Sequence, residues 1–190
     1  MKNILVMGTN NQVGRSLLKQ SQDVTNSELK FTFIDNDKVD FESADQLAPK
    51  LQSADILVIN TVGWDVDYML DAVMDAIEMQ SIKLERIIFR SVAGVDDEYP
   101  LDKIQVVAKN QPEFIKQQQY AGKLVDESEI PYTILRPTNI EETANQQYQL
   151  IKEGQPMQTA KNVSAVAVAQ VIIKAVLTDD LVNQSIGICG

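Results

Sequence analysis

Asn3-Ile4-Leu5-Val6-Met7-Gly8-Thr9-Asn10-Asn11-Gln12-Val13-Gly14 is an apolar run that stops at a glycine, followed by a polar turn and a second glycine that opens a segment of helical spacing. An unbroken apolar run of this length suits a parallel strand covered on both faces. Gly8 allows a sharp exit from the strand, and Gly14 allows the following helix to pack close to the sheet. Between the glycines, backbone N–H groups at the helix N-terminus face outward and attract a pyrophosphate. Thr9, Asn10 and Asn11 are short and polar, leaving space and adding hydrogen bonds, and Gln12 and Val13 lead into the helix. Asn11 also tolerates the left-handed conformation that a middle glycine would otherwise supply. An ordinary strand-to-helix turn is the competing reading, and the strand before and helix after favour the nucleotide one.

Outward from this turn, short runs rich in Ile, Val, Leu and Phe alternate with longer segments of helical spacing, the pattern of an α/β protein with a doubly wound parallel sheet. Strands are expected at Asn3–Met7, Lys30–Ile34, Asp55–Asn60, Arg86–Phe89, Tyr132–Arg136 and Ser185–Cys189, with helices at Val13–Gln20, Val66–Ile82, Pro112–Ser128 and Ser164–Leu177. Ser164 suits an N-cap, and Pro112 a first helical turn. No linker or repeat divides the chain, so one domain spans residues 1–190. Residues 138–162 are the least regular and follow the fifth strand, where an open α/β sheet builds its substrate side; a small C-terminal lid is expected there.

The second strand ends at Ile34-Asp35. An acid about 20 residues past the glycine turn can accept hydrogen bonds from adenosine ribose hydroxyls, and it repels a 2′-phosphate, which favours NAD over NADP. Asp35-Asn36-Asp37 is equally good turn chemistry.

Composition narrows the chemistry. The 190 residues are 44% hydrophobic and 23% charged, the balance of a globular domain. There is no histidine, so a Ser-His-Asp mechanism and a histidine-built zinc site are excluded, and no metal site is expected. The single cysteine, Cys189, cannot form an internal disulfide and fits a reducing, cytoplasmic setting. The apolar run begins at Asn3 with no room for a signal peptide, and no run approaches the roughly 20 residues of a membrane span. A formal charge of -10 repels polyphosphate and argues against nucleic-acid binding.

With these residues in place, the sequence resembles the atypical short-chain dehydrogenase/reductases, particularly the NmrA-like NAD(P)-binding group related to NAD-dependent epimerase/dehydratases. Gly8 to Gly14 is similar to the family's Gly-Ala-Thr-Gly-x-x-Gly turn, with Asn11 replacing the middle glycine. Val39-Asp40-Phe41 is similar to its Asp-Val/Leu element, Asp55 to Gly63 to the segment passing beneath the cofactor ribose, and Arg86 to Val95 to the strand ending in Ser-Ser-x-Gly. Ile130-Pro131-Tyr132-Thr133-Ile134-Leu135-Arg136-Pro137 is the most specific match. The resemblance implies a Rossmann-type fold and a dinucleotide across the C-terminal strand ends. Its expected contacts are Gly8, Thr9, Asn10, Asn11, Gln12, Val13, Asp35, Asp40, Phe41, Asn60, Val62, Gly63, Ser91 and Pro137.

The departures from that family bear on activity. Its enzymes use a Tyr-x-x-x-Lys pair for proton transfer, and no such pair occurs here; the expected places hold Phe114 and Gln118. Tyr120 and Lys123 stand at a shifted register and read as a packed ring and a solvated amine. Val92 occupies the second serine position, and no catalytic residue is assigned. An NAD(P)H-dependent oxidoreductase acting on a small carbonyl or quinone-like compound and a non-catalytic dinucleotide sensor regulating a protein partner both remain open, as does a scaffold that binds no cofactor. Trp64, Tyr99, Tyr148 and Met157 are candidates to line a substrate cavity. Acidic helices could pair in a homodimer, but the sequence specifies no interface.

Overall fold

The computed structural model describes residues 1–25 and 28–190. Strands β1 (Lys2–Met7), β2 (Leu29–Ile34), β3 (Ile56–Ile59), β4 (Arg86–Arg90) and β5 (Tyr132–Pro137) alternate with helices α1 (Gln12–Gln22), α2 (Ala44–Leu51), α3 (Val66–Gln80) and α4 (Gln111–Glu127). Two-residue strands β6 (Ile140–Glu141) and β8 (Val163–Ser164) flank β7 (Gln149–Lys152), and α5 (Ala165–Leu177) leads to β9 (Gln184–Cys189). The main sheet has seven strands in the order β2-β1-β3-β4-β5-β9-β7, parallel throughout except for β7, which runs antiparallel to β9. Part of the segment expected as a lid is thus the sheet's edge, while β6 and β8 form a separate parallel pair.

Each expected strand and helix is present, with ends moved by one or two residues, and the architecture is a Rossmann-type α/β single domain. Residues alternate between the two faces of the sheet. Leu5, Met7, Leu57, Ile59, Ile87 and Phe89 face α2, α3 and α4, whereas Ile4, Val6, Ile56, Val58, Ile88 and Leu135 face α1 and α5. Full burial of each such aliphatic side chain stabilises by about 1.5–3 kcal/mol before entropy is counted. Helix α5 is the most apolar: Val168, Val171, Ile172 and Ala175 are fully buried. Its N-cap Ser164 accepts from the Ala167 N–H at 3.0 Å, a contact that contributes about 1 kcal/mol.

The winding reverses at β1, which lies between β2 and β3. The crossover from β1 to β2 carries α1 on one face, and that from β2 to β3 carries α2 on the other. A crevice opens at the carboxyl ends of strands where winding reverses, and there an open α/β sheet binds ligands.

Candidate dinucleotide site

The turn after β1 occupies this crevice. Gly8 has φ +90, and its N–H donates to Ile34 O at 2.9 Å. A Cβ on Gly8 would stand 2.5 Å from Thr61 Oγ1, and one on Gly14 would stand 2.5 Å from the Thr9 Cα, so both glycines are sterically required. Asn11 departs from expectation: its φ of -140 and ψ of 171 are extended, not left-handed. It is the N-cap of α1, with Oδ1 accepting from the Gly14 N–H at 2.9 Å. A short polar side chain can satisfy an orphan helix donor from this position, so no glycine is needed there. The N–H groups of Asn11, Gln12 and Val13 have no hydrogen-bond partner among the described residues. These open donors at a helix N-terminus fit an anionic diphosphate.

Asp35, at the end of β2, reaches across to this turn. Its carboxylate accepts from the Thr9 N–H at 2.5 Å, from the Thr9 hydroxyl, and from the Asn10 N–H at 3.1 Å. Burial acts to raise its pKa, but the Thr9 and Asn10 hydrogen bonds and nearby Lys38 together hold it below the usual aspartate value. Asp40 lies at the surface, its carboxylate accepting from the Glu42 N–H at 3.0 Å, and Phe41 is packed into the core against α2 and α3.

Beneath the turn lies a buried polar network. Asn60 is fully buried, and its Nδ2 donates to Gly8 O at 2.7 Å and to Asn11 Oδ1 at 3.2 Å. Asn11 Nδ2 donates back to Asn60 O at 3.1 Å. Arg90, at the end of β4, donates from Nε to Asn60 Oδ1 at 2.5 Å and from Nη2 to Asn60 O at 2.6 Å. The Thr61 hydroxyl is buried beside Gly8 and has no partner among the described residues. Sequence reasoning missed Arg90 and Thr61. A charged residue inside an apolar strand was the available signal for Arg90.

At the carboxyl ends of β4 and β5 the wall is apolar: Val92, Tyr99, Ile104, Val107, Phe114 and Met157 pack together. Ser91 is buried and donates to Gln118 Oε1 at 3.2 Å, while Gln118 Nε2 donates to Gly63 O at 3.2 Å. Val62 and Gly63 are half-buried beside the turn, and Pro137 is buried, its carbonyl accepting from the Ala93 N–H at 2.8 Å. Phe114 is fully buried and meets the exposed Trp64 edge-on, with ring centroids 5.6 Å apart. Of the four cavity candidates, Tyr99 and Met157 join this wall and Trp64 borders it, whereas Tyr148 packs against the α1 and α5 face. Tyr120 is exposed, and Lys123 pairs with Glu127 at 3.6 Å while lining a cavity shared with Ser91 and Gln118. A cavity of about 750 Å³ lies elsewhere, between α1 and α5.

The family model described as NAD(P)H-binding matches residues 9–179, a span that includes the turn from Thr9 to Gly14 and the carboxyl ends of β2, β3, β4 and β5. A Rossmann-fold NAD(P)-binding family protein from Shigella flexneri is 22% identical with a TM-score of 0.79, over 99% of this chain and 93% of that one. A short-chain dehydrogenase/reductase from Veillonella parvula, solved in complex with NADP, is 20% identical with a TM-score of 0.79, over 100% and 94%. A putative NAD-dependent epimerase/dehydratase from Bacillus halodurans is 18% identical with a TM-score of 0.76, over 100% and 94%. No curated protein matches the sequence. The resemblance read from the sequence is borne out in family and in fold.

Proposed function

From the premise that this chain belongs to the NAD(P)H-binding family, we propose that it is an NAD(P)H-dependent oxidoreductase acting on a small carbonyl or quinone-like compound. The observation that carries this reading is the juxtaposition of the three open N–H groups at Asn11, Gln12 and Val13 with an apolar wall at the ends of β4 and β5. When bound, the dinucleotide supplies a hydride. The acceptor takes that hydride at carbon or into a quinone ring, and water supplies the proton, so the products are the alcohol or hydroquinone and the oxidised cofactor. Val92, Tyr99 and Phe114 exclude bulk water from the acceptor, and Ser91, Gln118 and Gly63 fix the floor of the site through their hydrogen bonds. Asp35 favours NAD over NADP, since a carboxylate at the end of β2 repels a 2′-phosphate. Outside β7, the 138–162 segment closes the substrate side, and the unpaired, buried Cys189 accords with a cytoplasmic setting.

A dinucleotide sensor that regulates a protein partner is the second reading. Phe114 and Gln118, standing where the wider family has its proton-transfer pair, favour it. Thermal-shift titration with NAD, NADH, NADP and NADPH, followed by carbonyl and quinone acceptors mixed with the preferred reduced form, separates the two. A saturable shift with acceptor-dependent loss of nicotinamide absorbance supports the oxidoreductase, and a shift without turnover supports the sensor. No shift with any dinucleotide overturns both.

A further inference from the structure

Three arginines point their side chains into the layers packed on the sheet: Arg86, Arg90 and Arg136 are 9%, 6% and 0% exposed. Two of them have carboxylate partners. Arg86 pairs with Asp179, and Arg136 pairs with Glu98 and with Asp96 at 2.9 Å. Arg90 has none among the described residues: Nε and Nη2 bond to Asn60 alone, and Nη1 has no partner. Burial lowers its pKa to about 10, which still leaves it charged at neutral pH. A buried charge is costly unless an opposite charge compensates it. No side chain among the described residues does so.

The surroundings of Arg90 connect it to the glycine turn. Asn60 turns its O and Oδ1 toward Arg90 and its Nδ2 toward Gly8 O and Asn11 Oδ1. Arg90 is therefore separated by a single amide from the turn whose Asn11, Gln12 and Val13 N–H groups are open. The guanidinium and the helix N-terminus lie on two sides of the Asn60 amide with the same sign of charge, an arrangement that an anion held at the turn relieves.

We propose that Arg90 is the buried counter-charge of the dinucleotide diphosphate, a positioning residue that acts through Asn60 and Asn11 and remains uncompensated until the diphosphate binds. This inference rests on the dinucleotide reading of the turn. It also explains how a chain of charge -10 can hold a doubly anionic ligand.

The test compares the wild-type chain with Arg90→Met and Arg90→Lys, using ADP-ribose, which carries the diphosphate without nicotinamide, and adenosine, which carries no phosphate. In Arg90→Met the affinity for ADP-ribose falls at least about tenfold, adenosine binding is unchanged, and the ligand-free protein melts at or above the wild-type temperature. Arg90→Lys stays within about threefold of wild type for ADP-ribose and takes up protons on binding at about pH 9, because a buried amine has a depressed pKa that the anion raises. This uptake is read by calorimetry in buffers of different ionisation enthalpy. Unchanged ADP-ribose affinity in Arg90→Met overturns the proposal, as does equal weakening of ADP-ribose and adenosine together with a lower melting temperature. Binding by Arg90→Lys without proton uptake also overturns it. Failure of the wild-type chain to bind any dinucleotide overturns the cofactor reading itself, and that outcome is seen before any variant is made.

Discussion

The Asp35 carboxylate accepts the Thr9 N–H at 2.5 Å, so the end of β2 grips the first residue of the turn that follows Gly8. The folded pKa of Asp35 lies below its ordinary value of 3.8. The ionised form is thus the stabilising one: its contribution is present above pH 3.8 and is lost as pH falls through the lower folded value. Asp35→Asn is expected to cost about 1 kcal/mol at neutral pH, a figure held down by solvent screening. Urea unfolding across pH checks this, and the gap from wild type should close in acid.

The same carboxylate sets cofactor preference. Asp35→Arg removes the negative charge and supplies a donor for a 2′-phosphate, so the ratio of NADPH to NADH affinity should rise by at least about tenfold. Parallel fluorescence titrations measure it; an unchanged ratio places the adenosine ribose away from β2.

Gly8→Val forces a β-branched side chain into φ +90 and drives its Cβ against Thr61 Oγ1. The backbone cost is of order 1–3 kcal/mol, which leaves a folded sheet. Dinucleotide-induced thermal stabilisation should disappear while far-ultraviolet circular dichroism stays close to wild type.

Glu98 lies against Arg136, a fully buried guanidinium whose Nε and Nη2 have no partner among the described residues. Glu98→Gln leaves that charge to Asp96 alone and should cost about 3 kcal/mol by denaturant unfolding. Dinucleotide affinity of the folded fraction should hardly move, because the ion pairs of Arg136 run to Asp96 and Glu98 and not to the turn.

Acceptor reduction should be nearly independent of pH between about 6 and 9, since neither Ser91 nor Gln118 titrates there and burial raises the pKa of Tyr99 beyond it. Steady-state rates at saturating acceptor test this. A bell-shaped profile in that window would reveal a titrating proton donor.

The strands were legible where burial on both faces made them uniformly apolar, as in Ile56–Ile59, and the glycine turn was legible because Gly8 and Gly14 each answer a steric demand. β7 was not legible. Its ends are exposed and its middle half-buried, and its pairing with β9 joins residues far apart in sequence. The same nonlocality hid the Asn60–Arg90 contact: an asparagine at one strand end and an arginine at the next carry no mark of each other in one dimension. Asn11 was misjudged for a different reason. Left-handed backbone and N-capping draw on the same short polar side chain, and the helix beginning at Gln12 decided between them.

The antiparallel β7 has a consequence for how the molecule coexists with its own copies. Without it, β9 would present unpaired backbone between Ile186 and Cys189, a row of donors and acceptors on which another chain could build. A short strand ending in the exposed Lys152 takes that place, and at the opposite edge Lys30 and Thr32 of β2 face solvent. Both flanks of the sheet are blunted by charge or brevity, so the fold resists lateral growth into fibrils.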